Sequence, residues 1–245
     1  IRGVPGLALG AVSVHDQDKA RRNLPELGTI PFKAPAALAE DCDVVVEMLP
    51  PVLFRDIAIS AIDRGRIFMP LSVGQLLPNW DLVARAKEKD ARILVPSGAL
   101  LALDAVRAAA EGDIRSVKMI TRKPPGGLDG APHLVNNNIS VKNLDKPLLV
   151  FSGSARDGVK GFPANVNVAV ALSLAGIGPD RTQLEIWADP ALTLNTHRIE
   201  VDADTARFSM AIENVPSDNP RTGRIVALST VATLRGLVSE LKVGT

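Results

Sequence analysis

The run DVVVEML, residues 43–49, sets the pattern for the first part of this 245-residue chain. It is short and apolar and does not alternate with polar residues, which is typical of a strand covered on both faces of a sheet. Four further runs of the same kind predict strands at 7–14, 29–32, 66–73 and 92–95. The first hundred residues therefore read as a series of buried strands.

Segments with helical signals lie between these strands. Pro35 occupies a first-turn position, residues 53–63 run to Gly65 as a stop, and residues 81–89 are charged on one side. Strands that alternate with helices at this spacing imply right-handed crossovers. The prediction is an α/β fold with a Rossmann-like, doubly wound parallel sheet.

The pattern changes after Pro96, where we set the domain boundary. Three segments, 184–188, 197–201 and 208–212, alternate apolar and polar residues, as in a mixed or antiparallel sheet with one solvated face. The predicted strands are 116–122, 147–152 and those three segments, and the predicted helices are 103–111, 165–178 and 224–241. We predict a dinucleotide-binding domain at 1–96 and an α+β catalytic and dimerisation domain at 97–223, with the 224–245 helix packing back on the first domain.

Composition and charge exclude several classes of protein. Apolar residues make up 46% of the chain, the formal net charge is +1, and basic residues form no tract, so neither nucleic acid nor a membrane surface is an expected partner. Cys42 is the only cysteine, which excludes an internal disulfide and favours a cytoplasmic location. No secretory signal or membrane-spanning run is expected, and no cluster has metal-ligand spacing.

The sequence contains no G-x-G-x-x-G turn, the usual pyrophosphate site of a dinucleotide-binding domain. One explanation is that 7–14 is the second strand of the sheet and that the first strand, turn and helix are missing. Asp16 would then meet the adenosine ribose and favour NAD, whereas the nearby Lys19, Arg21 and Arg22 could attract the phosphate of NADP. Asp16 could equally be a solvated helix N-cap, so NAD and NADP both stay open.

From Asp43 onward the chain resembles the L-aspartate dehydrogenase family over essentially its whole length. The resemblance rests on segments in matching order: DVVVEM (43–48), LSVG (71–74), PSGA (96–99), TRKPP (121–125), FPANVNVA (162–169), LAGIGPDRT (174–182), ADP (188–190), NTHRIEV (195–201) and ENVPSDNPRTG (213–223). FPANVNVA together with NTH and ENVPS is far more specific than any glycine motif. Members begin with a glycine-rich turn, which favours a truncated or partly unobserved chain here.

The resemblance implies a Rossmann domain joined to a dihydrodipicolinate-reductase-like α+β domain. It implies oxidation of L-aspartate with NAD or NADP to iminoaspartate, which hydrolyses to oxaloacetate and ammonia and can feed NAD biosynthesis. It also implies a homodimer formed through the sheet of the second domain.

His197, in the segment NTH, is one of three histidines. Period-two spacing places it with Ile199 and Val201 on the apolar face of a strand, where a hydrogen-bonded core histidine is the ordinary interpretation. A histidine lining the cleft between domains is the alternative, because amine oxidation needs a group that accepts a proton near neutral pH. The resemblance implies that His197 is the catalytic residue.

The cofactor candidates are Asn167, Ser72, Gly98 and Ala99. Gly98 and Ala99, in PSGA, close the last strand of the first domain, where small residues let a ligand approach the backbone, although tight packing explains Ala99 equally well. The resemblance implies that Asn167 contacts the nicotinamide carboxamide or ribose; the alternative is a helix cap, a role for which Asn165 is better placed.

Arg122 and Lys123 are the substrate candidates, since a dicarboxylate requires cations, and both could instead be solvated surface residues. Two other functions stay open from the sequence. One is a related amino-acid or imine oxidoreductase with a different substrate. The other is a non-catalytic nucleotide-binding protein.

Overall fold

A computed structural model describes residues 4–163, 166–217 and 223–244. Its internal contacts divide the chain into two compact units, Ile1–Pro96 and Ser97–Thr245. The C-terminal helix, which the sequence analysis joined to the first domain, is grouped with the second unit. Its packing back on the first domain stays a prediction.

The first unit is built on a parallel sheet with strands in the order β1-β2-β3. Its strands are β1 Val44–Glu47, β2 Ile67–Pro70 and β3 Arg92–Ile93, and its helices are α1 Gln17–Asn23, α2 Leu38–Asp41, α3 Phe54–Asp63 and α4 Asp81–Glu88. Helix α3 contacts β1 and β2, and the Phe54 and Phe68 rings meet edge to face, with their centroids 5.5 Å apart. This packing brings the carboxyl ends of β1 and β2 to one edge of the sheet.

Two predicted strands of the first unit, 7–14 and 29–32, are wrong. The structure has only a single parallel bridge there, between Val12 and Phe32. Pro31 has no N–H to donate, and Gly10 weakens the other segment. The pairing of the two segments is therefore limited to this single bridge.

The second unit contains a mixed five-stranded sheet in the order β5-β6-β4-β7-β8. Strands β4 and β6 are parallel, and the other three pairs are antiparallel. The strands are β4 Ile114–Lys123, β5 Leu148–Ser154, β6 Gln183–Ala188, β7 Asn195–Ala203 and β8 Arg207–Asn214, and the helices are α5 Leu103–Ala109, α6 Pro132–Asn136, α7 Ala155–Gly161, α8 Asn167–Ala175 and α9 Ile225–Gly236. The predicted α/β fold with a second α+β domain is confirmed.

One face of this sheet forms the core of the second unit. Alternate residues of the central strands, such as Met119, Leu184 and Ile199, are buried together with Leu172 of α8. Alternation sends the intervening side chains, many of them charged, to the opposite face. Among the described residues, no helix has the length and apolar character needed to cross a membrane.

Gly161, the last residue of α7, tests the packing of the second unit. A Cβ at this position would lie 2.8 Å from the Cβ of His133, whose ring is held between Phe151 and Phe162 with centroid distances of 5.4 and 5.3 Å. We expect Gly161→Ala to lower the free energy of unfolding by about 1–3 kcal/mol, because the crowded site outweighs the better helix propensity of alanine.

Denaturant unfolding measures this change. Gly126→Ala is the matched control, since no atom lies within 4 Å of its Cβ position. Equal stability of the two variants would contradict the packing described for α7.

Candidate active site

A row of buried polar side chains lies at one end of the β4–β7 pair. Thr121 and Lys123 of β4 and Asn195 and His197 of β7 are all no more than 6% exposed. Because strand residues two apart share a face, these four side chains continue the buried face that is apolar elsewhere. Burying polar groups is unfavourable unless they form hydrogen bonds or contact a ligand. This end of the sheet is therefore a candidate site, unlike the apolar remainder of the core.

His197 lies directly opposite Thr121 in the antiparallel pair. Its Nδ1 is 3.1 Å from the Thr121 hydroxyl oxygen, and the two atoms share a hydrogen bond. Burial, and after it the positive charge of Lys123, lowers the pKa of His197 to about 3. The imidazole is therefore neutral near pH 7, with one ring nitrogen able to accept a proton.

Arg122 and Lys123, the two predicted substrate residues, are consecutive on β4 and therefore point to opposite faces of the sheet. Lys123 shares the buried face with His197, whereas Arg122 lies on the other face, 4.7 Å above the Trp187 ring and 3.3 Å from a carboxylate oxygen of Asp189. The backbone N–H of Asp189 donates to the Lys123 carbonyl oxygen at 2.8 Å, which fixes the end of β4. The structure thus brings Lys123, and not Arg122, to the histidine.

The segment holding Gly98 and Ala99 is tied to the end of β8. Nδ2 of Asn214 donates to the Ala99 carbonyl oxygen at 3.0 Å. Gly98 has φ +64°, and, apart from its two chain neighbours, no atom of the described residues lies within 4 Å of the place where its Cβ would be. This backbone conformation favours glycine, whose missing side chain lets a ligand approach the backbone.

Asn167 is the first residue of α8 and is half-buried. Val166 precedes it in the cap position, without a side-chain capping hydrogen bond. Asn165, the predicted cap, lies outside the described residues, as do Asp218 to Thr222 of the segment ENVPSDNPRTG. A contact between Asn167 and the cofactor stays a prediction.

In the first unit a buried carboxylate holds the carboxyl edge of the parallel sheet. Glu47, the last residue of β1, is 1% exposed. It accepts hydrogen bonds from the backbone N–H of Leu49 at 2.8 Å and from the backbone N–H and hydroxyl of Ser72 at 3.3 and 3.1 Å. Burial raises the pKa of Glu47, and these hydrogen bonds oppose that rise. Ser72, a predicted cofactor residue, is therefore fixed at the edge where such sheets bind nucleotides.

Asp16 is the N-cap of α1, and its carboxylate accepts a hydrogen bond from the Lys19 backbone N–H at 2.8 Å. Arg21, one of the three nearby cations, donates to the Gly28 carbonyl oxygen and lies 4.4 Å from the centre of the Phe32 ring. The capping alternative for Asp16 is thus what the structure displays. A ribose contact from its exposed carboxylate stays a prediction.

Taken by itself, the carboxyl edge of the first unit, where Glu47 fixes Ser72, suits a nicotinamide cofactor. In the second unit, described separately, Asn214 holds the backbone at Ala99 next to Gly98. Within the described ranges, no three His, Cys, Asp or Glu side chains come together as a metal site.

Sequence reasoning did not single out Thr121, Glu47, Asn195 or Asn214. Thr121 could have been found, because period-two spacing along β4 puts it on the buried face with Lys123. Glu47 ends an apolar run and was counted as part of the strand. Asn195 and Asn214 stand within quoted segments, but only the β7–β8 register places them opposite each other.

Comparison with known proteins identifies the family. Residues 104–237 match the family model described as aspartate dehydrogenase, C-terminal. An L-aspartate dehydrogenase of Bradyrhizobium diazoefficiens is 55% identical over 241 residues, covering 98% of this chain and 86% of that protein. L-aspartate dehydrogenase 3 of Bordetella bronchiseptica is 51% identical over 246 residues, covering 99% of this chain and 89% of that protein.

The fold has a solved counterpart in the crystal structure of aspartate dehydrogenase from Thermotoga maritima. The TM-score is 0.72 at 21% identity, and the match covers 97% of this chain and 100% of that chain. At this identity the likeness shows a shared fold alone, while the two sequence relatives and the family model show common descent. The chain therefore belongs to the L-aspartate dehydrogenase family.

Proposed function

We propose that this protein is an L-aspartate dehydrogenase that oxidises the amine-bearing carbon of L-aspartate with NAD or NADP. The observation that carries the proposal is the neutral, buried His197, hydrogen-bonded to Thr121 and close enough to Lys123 for the lysine charge to lower its pKa. A base beside a buried cation suits an amino acid that brings two carboxylates and one ammonium group.

Lys123 supplies the cation for a substrate carboxylate. It is 3% exposed, so an ion pair there is little screened by water and stronger than one on the surface. Arg122 is left out of this role, because it is engaged with Asp189 on the other face.

His197 takes a proton from the substrate ammonium, which frees the nitrogen lone pair. In the ligand-free protein the pKa of His197 is too low for an effective base. A bound carboxylate offsets the charge of Lys123, which removes one of the two causes of the low pKa and raises it. The base is thus strengthened by the substrate on which it acts.

A bound nicotinamide would supply the acceptor for the hydride of the α-carbon, while the nitrogen lone pair forms the C=N bond. The substrate loses two electrons and becomes iminoaspartate, and His197 holds the released proton. Water then adds to the imine, and the products are oxaloacetate and ammonia. The imine is also a suitable precursor for NAD biosynthesis.

The Thr121 hydroxyl, which can both donate and accept, is compatible with the tautomer of His197 that this mechanism needs. If Nδ1–H donates to the Thr121 hydroxyl oxygen, the lone pair is left on Nε2, which can then face the substrate. Asn167, Gly98, Ala99 and Ser72 are proposed to contact the cofactor, and Asp16 its ribose.

A homodimer formed through the open face of the second sheet is part of the same proposal. That face carries ion pairs such as Lys118 to Glu185 and Arg198 to Glu200, both with partly exposed side chains. A cytoplasmic location, favoured by the single cysteine, stays a prediction.

The first test is turnover. We expect the purified full-length protein to reduce NAD or NADP in the presence of L-aspartate, followed by the absorbance of the reduced cofactor. D-aspartate, L-glutamate and L-alanine serve as the comparison panel. A preference for another amino acid would favour the related oxidoreductase, and no reduction with any of them would favour a non-catalytic nucleotide-binding protein.

The second test removes the base. We expect His197→Ala to lower kcat by about 10²–10⁴-fold, the usual contribution of a general base. Binding of the reduced cofactor, measured by its fluorescence, should change little, because His197 is not proposed to hold it. A variant with wild-type kcat would exclude His197 as the base.

The third test uses the low pKa of His197. Its pKa is about 3 in the folded chain and near 6.5 when unfolded, so between these values the unfolded state binds the extra proton. The folded state therefore loses stability as the pH falls below about 6.5, by up to about 1.4 kcal/mol per unit from this group. Urea unfolding between pH 7 and pH 4 should show a steeper loss for wild type than for His197→Asn. Parallel curves would mean that His197 is not buried as described.

A further inference from the structure

Asn214, the last residue of β8, has a side-chain amide that is held in one orientation. The residue is 2% exposed, and its Nδ2 donates to the Ala99 carbonyl oxygen at 3.0 Å. A backbone carbonyl oxygen can only accept, so the nitrogen of the amide must face Ala99. The position of the other amide atom, Oδ1, follows from this contact.

Oδ1 of Asn214 is fully buried and has no hydrogen-bond partner within the described part of the chain. A carbonyl oxygen in this situation has lost its hydrogen bonds to water without forming one within the protein, which is rare in native proteins. Rotating the amide would not help, because Oδ1 would then face the Ala99 oxygen. Among the described residues, this acceptor therefore has no donor.

Gly223 lies beside this amide and has no side chain that would press on it. A Cβ at position 223 would lie 3.1 Å from Oδ1 and 3.1 Å from the Asn214 Cβ. Any residue larger than glycine would press on the amide. The absence of a side chain at 223 and the hydrogen bond to Ala99 together define where Oδ1 sits.

The strand register places this acceptor on the same face as His197. Asn214 lies opposite Asn195, and Ile212 lies opposite His197. The second pair is two residues later on β7 and two residues earlier on β8. Two residues along a strand span about 7 Å, and residues two apart point to the same side of the sheet. Asn214 thus belongs to the buried polar end of the sheet that also contains Lys123.

We propose that Oδ1 of Asn214 accepts a hydrogen bond from the α-amino group of the substrate. This inference rests on the proposed function and names the group that selects an amino acid over a plain dicarboxylic acid. The amino group is the only N–H donor of L-aspartate. One N–H is held by Asn214, and another proton is passed to His197, so the nitrogen is oriented while its lone pair is released.

Asn214 could instead act only by bracing Ala99, and binding measurements separate the two roles. A bracing residue affects every ligand of the site alike, whereas an amine acceptor affects only ligands with an amino group. L-aspartate and succinate differ in that group alone. The ratio of the succinate Kd to the L-aspartate Kd, called here the amine selectivity, therefore reports the hydrogen bond.

Isothermal titration of the full chain saturated with reduced cofactor, which prevents turnover, measures both Kd values. We expect Asn214→Ala to raise the L-aspartate Kd by at least about tenfold, as for a hydrogen bond to a charged group, and the succinate Kd by less than about twofold. Ser173→Ala is the matched control: Ser173 is fully buried in α8 and donates to the Val170 carbonyl oxygen. Its amine selectivity should equal that of wild type.

An unchanged amine selectivity in Asn214→Ala overturns the inference, whether both Kd values rise together or neither rises. If Asn214→Ala does not fold, Asn214→Asp provides the test, since it keeps acceptor oxygens and loses the donor to Ala99. Its amine selectivity should equal or exceed that of wild type, and a fall overturns the inference.

The proposed function is tested separately by turnover. A wild type that oxidises L-aspartate while Asn214→Ala keeps its amine selectivity contradicts the role of Asn214 alone. A wild type that does not bind L-aspartate contradicts both.

Discussion

The site in the second unit depends on one pairing, that of β4 with β7 in the register that sets Thr121 opposite His197. This register gives the imidazole its hydrogen bond at Nδ1 and puts Lys123 on the same face. A shift of one residue would turn His197 to the outer face and bring a charged side chain into the core. The apolar partners further along, such as Met119 and Ile199, make that shift costly. The packing of the core and the arrangement of the site are therefore fixed by the same strand contacts.

The electrostatics of this site favour a ligand with negative charge. A lysine and a histidine lie together away from water, and the histidine responds by staying neutral, with a pKa of about 3. Interactions between charges are strong in such surroundings, so an anion that reaches Lys123 changes the proton affinity of His197 as well. In the proposed mechanism, Lys123 thus links substrate binding to proton transfer by His197.

The buried polar side chains of the two units differ in their hydrogen-bond partners. In the first, Glu47 is surrounded by donors from Leu49 and Ser72, and the carboxylate serves to hold the edge of the sheet. In the second, the amide of Asn214 has one partner, at Ala99, and one buried atom without a partner in the described ranges. A satisfied group of this kind supports a structure, and an unsatisfied one calls for an explanation, which for Asn214 is the proposed substrate contact.

The sequence by itself determined the alternation of strands and helices up to Pro96 and a mixed or antiparallel sheet beyond it, because hydrophobic periodicity depends only on neighbours in the chain. Periodicity made His197 an ordinary core histidine, and only the resemblance of its surroundings to the family singled it out. The sequence wrongly predicted strands at 7–14 and 29–32, since an apolar run does not show whether its backbone N–H and C=O groups pair with another strand. Only the tertiary structure decided that Lys123 joins His197 while Arg122 turns away, and that Thr121, Glu47 and Asn214 hold the functional segments. Those contacts join residues up to 115 positions apart, as between Asn214 and Ala99, and they exist only once strands from distant parts of the chain have taken their register.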